Sequence, residues 1–85
     1  MAIDFDPAKD QANIAKHGVS LAVAKDFEIH VIVADERRDY DEDRFNAFGV
    51  LRGRFYWLTF AVRDGWVRAI SLRRARAKEY RRNVP

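Results

Sequence analysis

Residues 54–62, RFYWLTFAV, constrain the fold most strongly because they are apolar at both odd and even positions. Successive side chains of a strand point to opposite faces of a sheet, so this pattern predicts a central strand that is covered on both faces. RDG at 63–65 then predicts a tight hairpin turn in which Gly65 adopts a positive φ. WVRAISLR at 66–73 is the predicted partner strand.

Residues 6–18 carry the signals that begin and end a helix. Asp6 can accept a backbone N–H as the N-cap, Pro7 stands at the first helical position, and Gly18 supplies a left-handed stop. Small apolar residues recur on one predicted face of this helix, at Ala8, Ala12 and Ala15. We therefore expect this face to pack closely against a sheet.

The remaining predicted elements are short. They are a brief strand at 3–5, a second helix at 20–27 capped by Ser20, a strand at 29–34, a polar turn at 35–43, a strand at 44–50, a turn at 51–53 and a helix at 75–83. Helices grouped around an antiparallel sheet form an α+β domain. We expect a single domain over residues 1–85, with two N-terminal helices, a four-stranded, mainly antiparallel sheet and a C-terminal helix.

The composition excludes several classes of protein. The chain has no cysteine, which rules out disulfides and thiolate metal sites and makes the cytoplasm the expected compartment. The longest apolar run, residues 55–62, is far shorter than the roughly 18 residues of a membrane span, and the acidic N-terminus is unlike a signal peptide. The two histidines are too few to indicate a metal site, and we expect no cofactor.

Charge is distributed unevenly along the chain. Residues 1–43 contain eleven Asp or Glu and five Lys or Arg, whereas residues 44–85 contain two Asp or Glu and eleven Lys or Arg. Such asymmetry between the two halves indicates binding to nucleic acid or another polyanion. The same composition also fits a fold in which the acidic and basic halves pair with each other.

The predicted strand 66–73 divides its side chains between two faces. One face would carry Val67, Ala69, Ser71 and Arg73, and the other Arg68, Ile70, Leu72 and Arg74. We expect Ile70 and Leu72 to face the core, which places Arg73 beside Ser71 on the opposite, more open face. A one-residue bulge would change this assignment.

Basic side chains begin or end the predicted strands and continue into the last helix, at Arg44, Arg54, Arg63, Arg76, Lys78, Arg81 and Arg82. Arginine outnumbers lysine by twelve to four, and a guanidinium group binds phosphate through paired hydrogen bonds. We predict that a hairpin meander gathers these cations around one edge of the sheet. Surface pairs between arginine and carboxylates are the alternative explanation of the composition.

Aromatic residues alternate with these cations, at Phe55, Tyr56, Trp57, Trp66 and Tyr80. Splayed RNA bases stack on such rings. A domain this small also needs most of its central-strand aromatics in the core, so both uses stay open.

RNA cleavage is compatible with this set of residues. RNA carries its own nucleophile, the 2′-OH, so a protein need only align it, move protons and stabilise the charge of the phosphorane, a task that suits arginine. His17, at the end of the first predicted helix, is a candidate acid or base because its ordinary pKa lies near neutrality. A histidine at that place also caps helix carbonyls, which is the structural alternative.

Five segments resemble, in order and spacing, those of BrnT-type toxins of bacterial type II toxin–antitoxin systems. They are FDPAK at 5–9, KHGVSL at 16–21, DEDRF at 41–45, GR at 53–54 and RAISLRRA at 68–75. This resemblance implies a RelE-like compact ribonuclease that cuts RNA without a metal ion and blocks translation. It also implies a BrnA-type antitoxin, which covers the toxin and represses the shared operon through a ribbon-helix-helix DNA-binding part.

The resemblance also implies which residues form the site. The matching motif positions are Lys16, His17, Glu42, Arg44, Arg73, Arg74 and Glu79. The family often has a lysine at the position of Arg74 and a tyrosine near Asn83. We expect the catalytic residues to be Arg73, Arg74, His17 and Arg44, and the RNA-binding residues to be Lys16, Arg54, Arg63, Arg76, Lys78, Tyr80 and Arg81.

Two functions without chemistry fit the same sequence. In one, the basic residues bind nucleic acid or an acidic segment of the antitoxin without cleaving RNA. In the other, the charged halves mediate assembly of an interaction subunit. Salt-sensitive binding without new RNA ends would indicate the first, and a stable oligomer indifferent to RNA would indicate the second.

Overall fold

The computed structural model describes residues 3–36 and 42–85, which form a five-stranded sheet, two α-helices and a 3₁₀ helix. Within these ranges the strands are β1 Asp4–Phe5, β2 Glu28–Ala34, β3 Asp43–Leu51, β4 Arg54–Arg63 and β5 Trp66–Arg74. The helices are α1 Pro7–His17, the 3₁₀ helix Leu21–Asp26 and α2 Ala77–Asn83. Of the polar turn predicted at 35–43, residues 37–41 lie outside the described residues.

The sheet is mixed. Its strand order is β1-β5-β4-β3-β2, in which β2 to β5 are antiparallel and β1 runs parallel to β5, with Asp4 opposite Arg68 and Phe5 opposite Ala69. The prediction of a four-stranded sheet is therefore wrong, because the brief strand at 3–5 joins the sheet as a fifth strand. The whole meander separates β1 from its partner in sequence, so no local pattern reveals this pairing.

The second N-terminal helix is a 3₁₀ helix, so the prediction of a helix pair at the N-terminus is also wrong. Its hydrogen bonds span three residues, from Val23 N to Ser20 O at 3.3 Å and from Phe27 N to Ala24 O at 3.1 Å. The 3₁₀ form is common in short helical segments that connect other elements, as this six-residue segment does. The predicted cap is nevertheless confirmed, because Ser20 Oγ accepts a hydrogen bond from Ala22 N at 3.1 Å.

Two-residue turns connect β3 to β4 and β4 to β5. Arg52 and Gly53 have φ of 52° and 77°, and Asp64 and Gly65 have φ of 51° and 80°. Two successive positive φ values are typical of the type I′ turns that join twisted antiparallel strands. The predicted hairpin at 63–65 is confirmed, and both turns fix the register of the strands that they join.

The core lies between one face of the sheet and the 3₁₀ helix. Its buried apolar side chains are Leu21, Ala24, Phe27, Ala47, Leu51, Leu58, Phe60, Ala69 and Leu72. The backbone approaches closely at Gly49, where a Cβ atom would stand 1.9 Å from the carbonyl oxygen of Glu28. A glycine is therefore required where β3 passes the start of β2.

A bulge in β5 changes the predicted division of its side chains. Thr59 pairs with Ser71 and Phe60 pairs with Ala69, so Ile70 is an extra residue without a partner in β4. Ala69 and Leu72 both face the core, whereas Ile70 is half-buried outside it. The prediction of Ile70 in the core is wrong, and that of Leu72 is confirmed.

Helix α1 closes the edge of β5 beyond β1, through the amide of Asn13. Asn13 Nδ2 donates to Leu72 O at 2.9 Å and to Val19 O at 2.8 Å, and Asn13 Oδ1 accepts from Leu72 N at 3.0 Å. This side chain replaces a neighbouring strand and is 5% exposed. The predicted apolar contact face of α1 is wrong, because its three alanines are exposed and the contact is polar.

Candidate nucleic-acid interface

The face of the sheet opposite the core carries a row of basic side chains, which we call the cationic face and define by Arg44, Arg63, Arg68 and Arg73. The pairing places them on one side, because Arg44 and Arg68 both lie opposite Ala61. Arg63 is two residues from Ala61 on β4, and Arg73 lies opposite Trp57, four residues from Ala61 in the other direction. Arg44 is half-buried and lies 3.6 Å from Glu42.

Polar groups between these cations are held in place by Asn46. Its Oδ1 accepts hydrogen bonds from Trp57 Nε1 and from Thr59 Oγ1, both at 2.9 Å. Asn46 is buried, so these two hydrogen bonds fix the indole of Trp57 against the sheet. The ring of Phe48 packs against it with centroids 4.9 Å apart. These contacts hold the Trp57 ring in place among the basic side chains of the cationic face.

Arg73 connects β5 to α2. Its Nη1 and Nη2 donate to Glu79 Oε1 and Oε2 at 3.2 and 3.0 Å, and Nη1 also donates to the carbonyl oxygen of Arg74 at 3.1 Å. The guanidinium carbon lies 4.2 Å from the centroid of the Trp57 ring. A paired salt bridge together with an aromatic surface fixes the orientation of this guanidinium group.

Glu79 is held as an anion. The hydrogen bonds from Arg73, and next the one from Arg76 N at 3.0 Å, lower the pKa of this carboxyl group to about 2. Glu79 therefore keeps its charge through the physiological range. It also satisfies a backbone N–H at the start of α2, so one carboxylate caps the helix and orients Arg73.

His17 ends α1 beside Arg73. Burial lowers the pKa of His17 from its ordinary value, and the nearby charges of Lys16 and Arg73 lower it further. The imidazole is consequently neutral at pH 7, the form that accepts a proton. It lines a cavity of about 220 Å³ between α1 and β5, whose floor is formed by Ile70 and Ser71.

A larger cavity of about 470 Å³ adjoins the first one. Its walls include four cations, Lys9, Arg44, Arg63 and Arg68, and three acids, Asp4, Glu42 and Asp64. Lys9 and Ile70 line both cavities, which makes them neighbours on the cationic face. The hydrogen bond from Arg68 Nη2 to Asp4 Oδ2, at 3.0 Å, is the main reason that the pKa of Asp4 is lowered.

Residues 5–79 match a protein family described as "Ribonuclease toxin, BrnT, of type II toxin-antitoxin system". The chain belongs to the BrnT family. The prediction from the five motif segments is confirmed, and the match extends from β1 into the first turn of α2. A comparison with curated proteins gave no match.

The BrnT family is a family of ribonuclease toxins of type II toxin–antitoxin systems, so a protein antitoxin is the partner and RNA cleavage is the activity that the family name specifies. In the described residues, 3–36 and 42–85, no group of three His, Asp or Glu side chains is placed to hold a metal ion. No helix in those residues is long and apolar enough to cross a membrane.

The structure divides the predicted site residues of this BrnT-family chain into two groups. Those near the two cavities are Lys16, His17, Arg44, Arg63 and Arg73. Those near the β3–β4 turn and α2 are Arg54, Arg74, Arg76, Lys78, Tyr80 and Arg81. The ends of the ten-residue β4 lie roughly 30 Å apart at about 3.4 Å per residue, which separates Arg54 from Arg63.

Arg74 differs from its neighbour Arg73. It lies opposite Tyr56, on the side of the sheet that carries the core, and its side chain is exposed. Arg73 and Arg74 thus point to opposite faces, as successive residues of a strand do. The structure brings Arg73, and not Arg74, to His17.

Tyr80 holds α2 against the sheet. Its ring stacks on Phe55 with centroids 4.0 Å apart and an angle of 16°, and its hydroxyl group is hydrogen-bonded to His30 Nδ1. His30 Nε2 lies 3.6 Å from a carboxylate oxygen of Glu28. The hydroxyl group therefore has a partner on β2, fifty residues away, which no local sequence signal indicates.

Sequence reasoning gave no role to Lys9 and Arg68 at the larger cavity, and it named Trp66 only as one of several aromatic residues on which RNA bases could stack. Lys9 is one of several exposed polar residues of α1, and only the cavity shows its nearness to the cations of the sheet. Arg68 reaches the cationic face because of the bulge at Ile70. For Trp66 a signal existed, because it directly follows the predicted hairpin turn, where a large apolar side chain is exposed.

Proposed function

We propose that this BrnT-family chain is an endoribonuclease that cleaves RNA without a metal ion and inhibits translation. The observation that carries the proposal is that His17 lines a cavity between α1 and β5 together with Lys16, where the charges of Lys16 and Arg73 help to lower its pKa. A neutral imidazole can accept a proton, and nearby guanidinium groups stabilise developing negative charge.

The reaction needs no nucleophile from the protein. The 2′-OH of one nucleotide attacks the adjacent phosphorus while His17 accepts its proton, and a phosphorane forms. The bond to the 5′-oxygen of the next nucleotide then breaks, and that oxygen takes up the proton that His17 accepted, directly or through solvent, which restores the neutral imidazole. The products are a 2′,3′-cyclic phosphate and a 5′-hydroxyl end, so the atoms balance without water or a cofactor.

Arg73 is the leading phosphate-binding candidate, with Lys16 beside it. Nη1 and Nη2 of Arg73 each donate to Glu79, and two further N–H donors, on Nε and Nη2, are used by neither Glu79 nor the Arg74 carbonyl oxygen. In our proposal a phosphate displaces Glu79 from the paired Nη1 and Nη2 donors, which the carboxylate keeps in position. Arg44 and Arg63, at the larger cavity, bind neighbouring phosphates of the strand.

The antitoxin covers this same basic surface in our proposal. A type II toxin has a protein antitoxin, and the resemblance indicates a BrnA-type antitoxin whose ribbon-helix-helix part binds operator DNA. Acidic groups of such a partner would complement the cationic face. Because the substrate is RNA, the cytoplasm is the proposed compartment.

The test is incubation of the purified protein with defined RNA in excess EDTA, followed by chemical analysis of the ends. Wild-type protein should yield 2′,3′-cyclic phosphate ends, Arg73→Ala should not, and Arg82→Ala is a matched control because Arg82 is an exposed arginine of α2. Intact RNA with salt-sensitive binding would overturn the proposal in favour of a binding module. Cleavage that requires an added metal ion would overturn metal independence.

A further inference from the structure

Trp66 is the most exposed of the large apolar side chains in the described residues. It is 69% exposed, and it lies at the rim of the larger cavity. The other tryptophan, Trp57, is hydrogen-bonded to Asn46 and packed against Phe48. Tryptophan is enriched at binding interfaces because its large ring offers contact area and its N–H can still reach a polar partner.

A rigid turn presents this indole. Trp66 begins β5 directly after Asp64 and Gly65, whose positive φ values are those of a tight hairpin, and it pairs with Arg63 across that turn. Directly opposed side chains on neighbouring strands have Cβ atoms about 4.5–5.5 Å apart. The side chains of Trp66 and Arg63 therefore start from neighbouring positions on the cationic face.

Two of the four cations at this cavity are free for a ligand. Arg68 is bonded to Asp4 and Arg44 lies 3.6 Å from Glu42. Lys9 and Arg63 have no hydrogen bond or ion pair with another side chain of the described residues. The volume of about 470 Å³ falls within the roughly 300–1,000 Å³ typical of small-ligand sites, which suits one nucleotide.

We propose that Trp66 and this cavity form a nucleotide subsite for single-stranded RNA, in which a base stacks on the indole and its phosphate binds Arg63 and Lys9. The inference rests on the proposed function, because it takes RNA as the ligand. A base must leave its helix to stack on a side chain, so the subsite selects unpaired RNA.

The position of the subsite indicates how it would contribute to cleavage. It shares Lys9 and Ile70 with the smaller cavity that His17 lines, so a strand bound at Trp66 continues toward His17 and Arg73. The anchored nucleotide would fix which linkage reaches His17. Trp66 is thus a residue that positions the substrate and takes no part in the proton transfer.

The test measures binding separately from cleavage. The probe is a fluorescent RNA octamer with 2′-fluoro substituents, which has no 2′-OH nucleophile, together with octamers in which each base in turn is removed. Binding is measured by fluorescence anisotropy with wild-type protein, Trp66→Ala and Trp66→Phe. Ile32→Ala is the matched control, because Ile32 is 50% exposed on β2 and does not line the cavity.

We expect Trp66→Ala to bind the intact octamer about tenfold more weakly, within the range for loss of one stacked base, and Trp66→Phe to bind with intermediate affinity. For wild-type protein, one of the abasic octamers should bind about tenfold more weakly than the intact octamer. For Trp66→Ala, that abasic octamer and the intact octamer should bind with equal affinity. Ile32→Ala should match wild type. The abasic series with wild-type protein tests whether one base occupies a stacking subsite even if Trp66→Ala does not fold.

Several results would overturn the subsite. These are equal affinities of wild type and Trp66→Ala for the octamer, equal binding of all abasic octamers by wild type, or no binding of the octamer by wild type. A Trp66→Ala variant that loses affinity for the antitoxin but not for the octamer would also overturn it. If binding depends on Trp66 but natural RNA is never cleaved, the subsite stands and the proposed ribonuclease function fails. If natural RNA is cleaved but no base of the octamer needs Trp66 for binding, the proposed ribonuclease function stands and the subsite fails.

Discussion

Arg73 and Glu79 form a paired salt bridge across the junction of β5 and α2, with N–O distances of 3.2 and 3.0 Å. The same guanidinium group lies over Trp57, and the same carboxylate accepts the backbone N–H of Arg76. One ion pair thus links the strand that carries a proposed RNA-binding residue to the first turn of the last helix. Replacing Arg73 and replacing Glu79 therefore test different parts of the proposed mechanism.

Replacing Arg73 tests its part in the reaction. We expect Arg73→Ala to lower the cleavage rate by about 10²–10³-fold, as loss of a donor to a developing anion does. Arg73→Lys keeps the charge but loses the paired geometry, so its rate should also be low. Single-turnover rates and circular dichroism would be measured beside Arg82→Ala. A folded Arg73→Ala with the wild-type rate would remove Arg73 from the site.

Replacing Glu79 tests the exchange of carboxylate for phosphate. Glu79→Gln removes the charge that competes for Arg73, so we expect affinity for a non-cleavable RNA to rise severalfold. The measurement is anisotropy at two salt concentrations, with Glu28→Gln, an exposed acid of β2, as the control. Weaker binding by Glu79→Gln would show that Glu79 serves to position Arg73 and does not compete with RNA.

The lowered pKa of Glu79 predicts a pH dependence of stability. A carboxyl group whose folded pKa is about 2, below its ordinary 4.5, stabilises the fold above pH 4.5, and this contribution is lost as the pH falls from 4.5 to 2. The pair is partly exposed, so we expect about 1 kcal/mol or less. Urea unfolding should show that the deficit of Glu79→Gln at pH 7 shrinks by pH 3. A constant deficit would contradict the assignment.

The lowered pKa of His17 predicts the shape of the pH–rate profile. A general base with a pKa below 6.5 stays active down to more acidic pH than a free histidine would. Lys16→Ala removes one charge that lowers this pKa, so its acid limb should move to higher pH, whereas Lys25→Ala should leave the limb in place. His17→Gln should lose about 10²–10⁴-fold in rate. An unchanged acid limb in His17→Gln would assign the base elsewhere.

Asn13 should be essential for stability. Asn13→Ala leaves the N–H and C=O of Leu72 and the C=O of Val19 without their side-chain partner, and each buried unsatisfied group costs about 1–3 kcal/mol. We expect the free energy of unfolding to fall by more than about 2 kcal/mol in denaturant titrations. Gln11→Ala, on the exposed side of α1, should change it little. An equally small loss of unfolding free energy in Asn13→Ala would mean that water satisfies the backbone groups of Leu72 and Val19 in place of the amide.

The parts of the fold that sequence reasoning predicted are those specified by neighbouring residues. Asp6 caps α1 by accepting from Ala8 N at 2.9 Å, and Gly18 ends it with φ of 73°. The turn at Asp64 and Gly65 is equally local. Such signals act over a few residues, so a single sequence contains them.

The parts that it missed depend on contacts between distant residues. Asn13 and Leu72 are 59 positions apart, and β1 pairs with β5, from which the whole meander separates it in sequence. The bulge at Ile70 likewise arises from the register against β4.

The candidate site follows the same division. Charge and motif pointed to the arginines, but the length of β4 separates Arg54 from Arg63, and the alternation of β5 turns Arg74 away from Arg73.

The extra residue in β5 permits a change in chain length that keeps the rest of the strand in register. Because Ile70 has no partner in β4, deleting its codon would leave Ala69 and Leu72 on the core face and Ser71 and Arg73 on the cationic face. The deletion would still remove the side chain that both cavities share. A deletion of one residue at this point would therefore reshape the proposed RNA path while every neighbouring residue keeps its side of the sheet.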